Sequence, residues 1–271
     1  MAVQPVWWSP LRPPAAAPAR RRLLVLPHSG AGPNSYRPLL GGLPGDVEVR
    51  GLTLPGRERR LGERTGASLD DVLSSLGELG DPLPTVVFGH SLGALLAMWV
   101  ACELGGDCAG VIVSGQAPGA NRRWRHRPPT EAEMIELLEA GDVPLSKALY
   151  APRWRAVLLD ALRADLRLGA EAADFDRIRL DAPLTVLAGQ ADRLVDPTAL
   201  GCWARHTSAS CRTRLLPGGH FAVLAEGNRA EVTTLIAAAV AKTVPVAAPC
   251  PASADARPVP VGAAGPGTAG R

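Results

Sequence analysis

Short apolar segments alternate with amphipathic ones along most of this 271-residue chain. Runs rich in β-branched and aliphatic residues predict strands, and apolar positions spaced three or four apart predict helices. The predicted strands cover residues 22–26, 47–54, 85–88, 109–114, 183–189 and 212–216. The regular alternation of strand and helix favours one α/β domain, in which helices flank a mostly parallel central sheet.

The segment 85–100 carries the strongest local signal, because a strand, a sharp turn and a helix follow one another without a gap. Residues 89–93 read GHSLG, a G-x-S-x-G pentapeptide between a buried strand and a continuously apolar helix. In this context the pentapeptide predicts a nucleophile elbow, which lifts the hydroxyl of Ser91 above the edge of the sheet. The alternative is a glycine-rich turn that holds an inert serine.

A second glycine-rich segment, residues 27–33 with the sequence PHSGAGP, directly follows the first long strand. Hydrolases of the α/β type build half of their oxyanion hole at this position. We therefore predict that the backbone N–H groups of Ser29 and Leu92 hold the oxyanion. A phosphate-binding loop is disfavoured, because neither G-x-x-x-x-G-K-[ST] nor G-x-G-x-x-G occurs here. His28 is predicted to shape the turn.

The other members of a catalytic triad follow in the order nucleophile, acid, histidine. His220 lies in a Gly-Gly turn after the last strand, and Asp192 lies at the end of the strand before it. Parallel strands bring their carboxyl ends to one sheet edge, so Ser91, Asp192 and His220 are predicted to converge there. Asp196 is the second candidate acid, although a position just before a proline is typical of a helix N-cap.

Residues 115–182 break the strand–helix rhythm and predict a helical lid above Ser91. A capping box at residues 130–133 opens one lid helix, and a second amphipathic helix that carries Val157 on its apolar face is predicted over residues 152–168. Outside this insertion, Ser68 is predicted to cap a helix over residues 69–79, and a second capping box at residues 228–231 is predicted to open the last helix. A short helix is predicted near residues 200–205. The basic run at residues 122–127 surrounds Trp124 and is a candidate docking surface, although a solvated charge run is an equal alternative. The Arg/Glu cluster at residues 57–60 is predicted to be a solvated loop.

The composition of the two ends of the chain differs from that of the predicted domain. Residues 1–20 are predicted to be a lead-in, residues 21–242 the hydrolase domain, and residues 243–271 a disordered tail rich in Pro, Ala and Gly. No secretory signal or membrane-spanning run is visible, so a cytoplasmic protein without a membrane partner is expected. The net charge of +3 is too small to indicate nucleic acid as the main partner.

The five cysteines are scattered, which indicates reduced thiols and argues against both a disulfide framework and a metal site. Cys102 and Cys211 fall in segments that are predicted to be buried.

With these residues placed, the chain resembles the stand-alone type II thioesterases of polyketide and non-ribosomal peptide biosynthesis. A generic esterase would share the elbow with this family but would lack the motifs LPGRERR and LRADLRL. The matching stretches are LPHSGAGPNSY (26–36), LPGRERR (54–60), FGHSLGA (88–94), LRADLRL (162–168), LAGQADRLV (187–195) and PGGHF (217–221). Together they span nearly everything from residue 8 to residue 241.

The resemblance implies an α/β-hydrolase fold, a triad of Ser91, Asp192 and His220, and oxyanion donors at Ser29 and Leu92, with no cofactor or metal. It also implies hydrolysis of acyl groups from the phosphopantetheine thiol of acyl or peptidyl carrier proteins. A monomer is expected. Three alternatives stay open: a carboxylesterase or lipase for small esters, a serine acyltransferase, and a binding protein that keeps the fold without catalysis.

Overall fold

A computed structural model describes residues 7–13, 18–119, 122–142 and 152–243 of the chain. These residues form seven strands and five α-helices. The strands are β1 (Trp8–Pro10), β2 (Arg21–Leu26), β3 (Val47–Leu52), β4 (Thr85–His90), β5 (Cys108–Ser114), β6 (Leu184–Gly189) and β7 (Cys211–Leu216). The helices are α1 (Leu69–Ser74), α2 (Leu92–Leu104), α3 (Glu131–Ala140), α4 (Pro152–Ala172) and α5 (Arg229–Ala241).

All seven strands join one sheet in the order β1-β3-β2-β4-β5-β6-β7. Strands β2 to β7 pair in parallel, and β1 alone runs antiparallel to its neighbour β3. The predicted mostly parallel sheet with flanking helices is therefore confirmed. Parallel pairing brings the carboxyl ends of β2, β4, β5, β6 and β7 to one edge, where the loops that carry the candidate residues emerge.

Strand β1 lies inside the segment that we predicted to be a lead-in, and sequence analysis missed it. Trp8 is only 2% exposed, and its indole nitrogen donates hydrogen bonds to the carbonyl and the hydroxyl of Ser75. Three residues are too few to show an alternating pattern, so only the large aromatic side chain marked this strand. The segment thus adds an antiparallel edge strand to the sheet.

Helix starts follow the sequence signals at Thr130 and Ser68 but not at Asn228. Thr130 and Glu133 form the predicted capping box at α3, and Ser68 caps α1 by accepting a hydrogen bond from the Asp71 backbone. The box predicted at Asn228 is wrong, because the Asn228 amide instead donates to the carbonyl oxygens of two loop residues. The short helix predicted near residue 200 is the 3₁₀ helix Pro197–His206.

Two apolar clusters fill the two faces of the sheet, and a third lies within the helical insertion. The first packs α2 against the sheet, and the second packs α5 on the opposite face. The third cluster joins Trp124, Met134, Leu159, Leu162 and Leu166, so the insertion after β5 has a small core of its own. The carboxyl-terminal end of α4, including Leu168 and Ala172, packs into the first cluster and fastens the insertion to the domain.

Three predicted burial assignments differ in the structure. Val157 was predicted to lie on the apolar face of α4, yet it is 42% exposed, because Leu159 occupies the buried position instead. Cys102 is exposed, and Cys211 is only partly buried, at the margin of the first apolar cluster. No helix in the described part of the chain is long and apolar enough to cross a membrane.

Candidate active site

Ser91 lies at a sharp turn between β4 and α2, as the elbow motif predicts. Its backbone has φ of 55° and ψ of −114°, a strained conformation that non-glycine residues rarely adopt. A Cβ atom at Gly89 would collide with the Gly93 carbonyl, and one at Gly93 would collide with the Leu26 carbonyl. Both flanking glycines are therefore required by backbone atoms that cannot move aside, and they let the strand and the helix approach each other around Ser91.

Asp192 and His220 meet at the same edge of the sheet. The Oδ2 atom of Asp192 lies 2.9 Å from Nδ1 of His220, and their side chains are 1% and 5% exposed. The second carboxylate oxygen of Asp192 accepts the backbone N–H of Leu194 at 2.8 Å, which fixes the plane of the carboxylate. Asp196 lies elsewhere: it is exposed and caps the helix Pro197–His206 by accepting from the Thr198 backbone.

The imidazole ring of His220 lies at the carboxyl end of β5, which neighbours the strand that ends at Ser91. A Cβ atom placed on Gly115 would be 3.2 Å from Cε1 of His220. The backbone N–H of Ser91 donates to the carbonyl of Ser114, the residue before that glycine, at 2.8 Å. The structure thus brings Ser91 and His220 to the ends of adjacent strands.

Among the residues that the structure describes, the loop after β2 leaves the backbone N–H groups of Ser29 and Gly32 without a protein acceptor. The N–H groups of His28, Gly30 and Ala31 donate to the Tyr36 hydroxyl, to Asp165 and to the His28 carbonyl. In the described part of the chain, the N–H groups of Ser29 and of Leu92 donate to no protein atom. Leu92 is the first residue of α2, where the helix dipole adds partial positive charge. These two amides are those predicted for the oxyanion hole.

Arg57 is buried, which contradicts the prediction of a solvated Arg/Glu loop. Its guanidinium forms a bidentate ion pair with Asp165 on α4, with nitrogen–oxygen distances of 2.6 and 2.7 Å. The two side chains are 7% and 3% exposed. Arg60 is buried as well, where it pairs with Glu63 and lies over the ring of Trp7. The prediction failed because the partner of Arg57 lies 108 positions further along the chain.

Asp165 was missed as a functional candidate by reasoning from residue types. The available signal was its place in LRADLRL, one of the two motifs that set the resemblance apart from a generic esterase. The other of those motifs, LPGRERR, contains Arg57. The two motifs therefore meet in the folded chain.

A family model described as "Thioesterase domain" matches residues 21–240 of the chain. The chain belongs to this family. The match confirms the prediction of a hydrolase, and solved structures of thioesterases share the predicted α/β-hydrolase fold.

Two of the curated relatives come from bacterial biosynthetic systems. A probable cadicidin biosynthesis thioesterase of Streptomyces griseus is 33% identical, over 77% of this chain and 59% of its own. The AMB antimetabolite synthetase AmbE of Pseudomonas aeruginosa is 31% identical, over 86% of this chain and 11% of its own. The chain thus spans less than two thirds of the length of these two relatives.

Two solved structures align with this thioesterase-family chain over almost their full lengths. RedJ, a thioesterase from the prodiginine pathway of Streptomyces coelicolor, is 28% identical with a TM-score of 0.70, over 85% of this chain and 96% of RedJ. The type II thioesterase BorB from the borrelidin biosynthetic cluster is 25% identical with a TM-score of 0.68, over 89% and 100%. The predicted resemblance to type II thioesterases is confirmed.

In this thioesterase-family site the ring of His90 packs against His220, and the ring of His28 packs against His90. The ring centroids of His90 and His220 lie 5.0 Å apart, and His28 lies 5.6 Å from His90. Burial lowers the pKa of His28 to about 4, and it lowers the pKa of His90 well below 6.5, with His220 as the next cause in both cases. Both rings are therefore neutral near pH 7, and neither opposes a positive charge on His220.

The low pKa of His28 predicts that folding stability falls in mild acid. The unfolded chain binds the proton at about pH 6.5, whereas the folded chain resists it down to about pH 4. Stability is therefore full above pH 6.5 and is lost as pH falls toward 4, by at most about 1.4 kcal/mol per pH unit for this histidine. His28→Asn keeps a polar atom near the Tyr36 hydroxyl and removes the titration, so its stability should fall less steeply.

Urea unfolding at pH 7, 6 and 5 measures this difference in slope. His126→Asn is the matched control, because His126 is exposed on the insertion and should leave the slope of the wild-type protein unchanged. Parallel loss of stability in the wild-type protein and in His28→Asn would contradict the assignment.

The basic run at residues 122–127 is largely paired with acidic side chains. Arg122 pairs with Asp176 at 2.6 Å, and Arg125 pairs with Asp174 at 2.8 Å. Arg127 pairs with Glu133 of the capping box at 2.5 Å. The indole of Trp124 is buried in the core of the insertion. The run thus presents less free positive charge than its sequence indicates, and its role as a docking surface stays a prediction.

Proposed function

We propose that this protein is a thioesterase that hydrolyses acyl groups from the phosphopantetheine arm of carrier proteins by a Ser91–His220–Asp192 mechanism. The observation that carries the proposal is the buried hydrogen bond between Asp192 and His220, at the sheet edge where the strained Ser91 turn emerges. Family membership supports the same chemistry.

Asp192 determines which nitrogen of His220 can act as a base. Its carboxylate accepts a hydrogen bond from the Nδ1–H group, which leaves the lone pair on Nε2 free to take the hydroxyl proton of Ser91. Ser91 then attacks the thioester carbonyl and forms an acyl-enzyme, and His220 protonates the departing thiolate. Water, deprotonated by the same imidazole, releases the acid and restores Ser91.

The amides of Ser29 and Leu92 would hold the negative oxygen of each tetrahedral intermediate. Both N–H groups are unused by protein acceptors in the described residues, and a hydrogen bond to a localised charge is stronger than one to the ground-state carbonyl. This difference in hydrogen-bond strength lowers the activation free energy for forming each tetrahedral intermediate.

The carrier-protein substrate is proposed on the names of the relatives. Relatives are named for cadicidin and gramicidin S biosynthesis, and RedJ and BorB come from prodiginine and borrelidin biosynthesis. A thioester suits this site because its carbonyl is electrophilic and its thiolate leaves readily, so a serine triad suffices. We further propose that the protein acts as a monomer in the cytoplasm.

A hydrolysis panel tests the proposal. The protein is assayed against carrier proteins loaded with short, medium and branched acyl groups, and against a nitrophenyl ester of a matched acyl group. We expect higher kcat/KM on acyl-carrier protein than on the ester. Preference for the ester would instead indicate a carboxylesterase, and transfer of the acyl group to an added alcohol or amine would indicate an acyltransferase. Absence of fluorophosphonate labelling would indicate a binding protein.

A further inference from the structure

We propose that Asp165 is a positioning residue for the oxyanion hole, and that Arg57 orients the buried carboxylate of Asp165 and balances its charge. The inference rests on the proposed function, because it concerns the loop that carries the Ser29 amide. Neither side chain is expected to touch the substrate. Both act through the backbone of residues 28–31.

One carboxylate oxygen joins three parts of the chain. Oδ2 of Asp165 accepts the backbone N–H of Gly30 at 2.7 Å and also Nη1 of Arg57 at 2.6 Å. Oδ1 accepts Nη2 of Arg57 at 2.7 Å, which locks the carboxylate plane. Asp165 lies on α4, Arg57 lies in the loop after β3, and Gly30 lies in the loop after β2.

These contacts fix the direction of the Ser29 N–H from both sides. The preceding residue, His28, is anchored by two contacts of its backbone and ring with the Tyr36 hydroxyl. The following residue, Gly30, has φ of 81°, a conformation open to glycine, and its N–H is anchored on Asp165. A loop with glycines at 30 and 32 has few intrinsic restraints, so loss of one anchor lets the Ser29 amide rotate away from the oxyanion.

Arg57 also neutralises the negative charge that Asp165 places beside the oxyanion loop. A lone carboxylate, 2% exposed and next to the oxyanion loop, would be expensive to bury and would repel the negative oxygen that forms there. The bidentate guanidinium cancels this charge, and its Nη1 also donates to the Ala31 carbonyl at 3.4 Å. The pair therefore supplies an acceptor for Gly30 without a net charge.

Two double variants separate the acceptor from the ion pair. The Asn double carries Arg57→Met and Asp165→Asn, and it keeps an amide oxygen as acceptor for the Gly30 N–H. The Leu double carries Arg57→Met and Asp165→Leu, and it fills a similar volume without an acceptor. Replacing a buried ion pair by groups of similar volume is often neutral for stability, so both doubles should fold. We expect the Leu double to lose about 10-fold to 100-fold in kcat with KM within about twofold, because a misplaced oxyanion donor acts in the transition state. The Asn double should retain most of the activity.

We further predict that the single variant Asp165→Asn is more impaired than the double variant that contains it. With Arg57 present, an amide oxygen at the Oδ2 position could accept from Gly30 and from Nη1, but the NH₂ group would then replace Oδ1 and face Nη2, and this contact between two donors displaces the amide. The single variant should therefore be slower than the double that also carries Arg57→Met. An ion pair with a structural role alone would show this order only in the melting temperature and would leave kcat of both variants near the wild-type value.

The matched control is Arg60→Met with Glu63→Leu, which removes an ion pair from the same loop without touching residues 28–31. It should keep wild-type kcat. The measurements are kcat and KM on a small acyl thioester, the rate of fluorophosphonate labelling, and the melting temperature.

Equal kcat and equal labelling rates in the two double variants would overturn the inference. If the double variants do not fold, a wild-type kcat in Asp165→Asn would overturn it instead. Labelling also depends on the oxyanion hole and needs no thioester. If the wild-type protein is labelled but hydrolyses no acyl thioester, the proposed function fails while the labelling rates still decide the role of Asp165.

Discussion

Ser91→Ala is expected to abolish thioester hydrolysis while the protein stays folded. Loss of a triad nucleophile typically lowers kcat by about 10⁴-fold to 10⁶-fold, because no other group can form the acyl-enzyme. The substitution removes only a hydroxyl, and alanine meets the same backbone strain at this turn. The melting temperature should therefore change by no more than about 3 °C. The readouts are acyl-thioester turnover and fluorophosphonate labelling, both of which should vanish.

Ser35→Ala is the matched control, because Ser35 is exposed in the loop after β2 and should keep wild-type turnover. Retention of more than a few per cent of the turnover by Ser91→Ala would place the nucleophile elsewhere.

Asp192→Asn is expected to lower kcat by about 10⁴-fold through the wrong histidine tautomer. The N–H of Leu194 already donates to one oxygen of this side chain, so the amide oxygen of the asparagine should keep that contact. The NH₂ group must then face Nδ1 of His220 and donate to it, which moves the imidazole proton to Nε2. A protonated Nε2 cannot accept the proton of Ser91.

Asp196→Asn provides the matched comparison, since asparagine is an equally good N-cap and keeps the acceptor for the Thr198 backbone. It should leave kcat unchanged and alter stability by less than about 1 kcal/mol. The two variants are compared by steady-state kinetics on one acyl thioester. A larger loss of kcat in Asp196→Asn would exchange the two roles.

The sequence predicted the parts of the fold that depend on local patterns. The strand, turn and helix around Ser91 are adjacent in the chain, so the elbow could be read without knowledge of tertiary structure. The order of the parallel strands then placed the loops with Asp192 and His220 at the same edge. The contact of Asp192 with His220 agrees with the preference for this acid over Asp196.

The features that sequence analysis missed depend on partners far away in the chain. Arg57 reads as a solvated charge until Asp165 is packed against it, and burial cannot be inferred from an arginine alone. Asn228 carries a capping signal, but the nearby loop offers two carbonyl groups that compete for its side chain. Strand β1 is specified by pairing with β3 rather than by its own three residues.

The ion pair between Arg57 and Asp165 limits how segments can be exchanged between related thioesterases. A chimera that takes α4 from one parent and the loop after β3 from another inherits the pair only if each parent supplies its own half. A mismatch would leave one buried charge without its partner, which typically lowers stability by about 3–5 kcal/mol. Libraries that exchange α4 to change acyl preference should therefore transfer Arg57 and Asp165 together, although the two codons lie 108 positions apart.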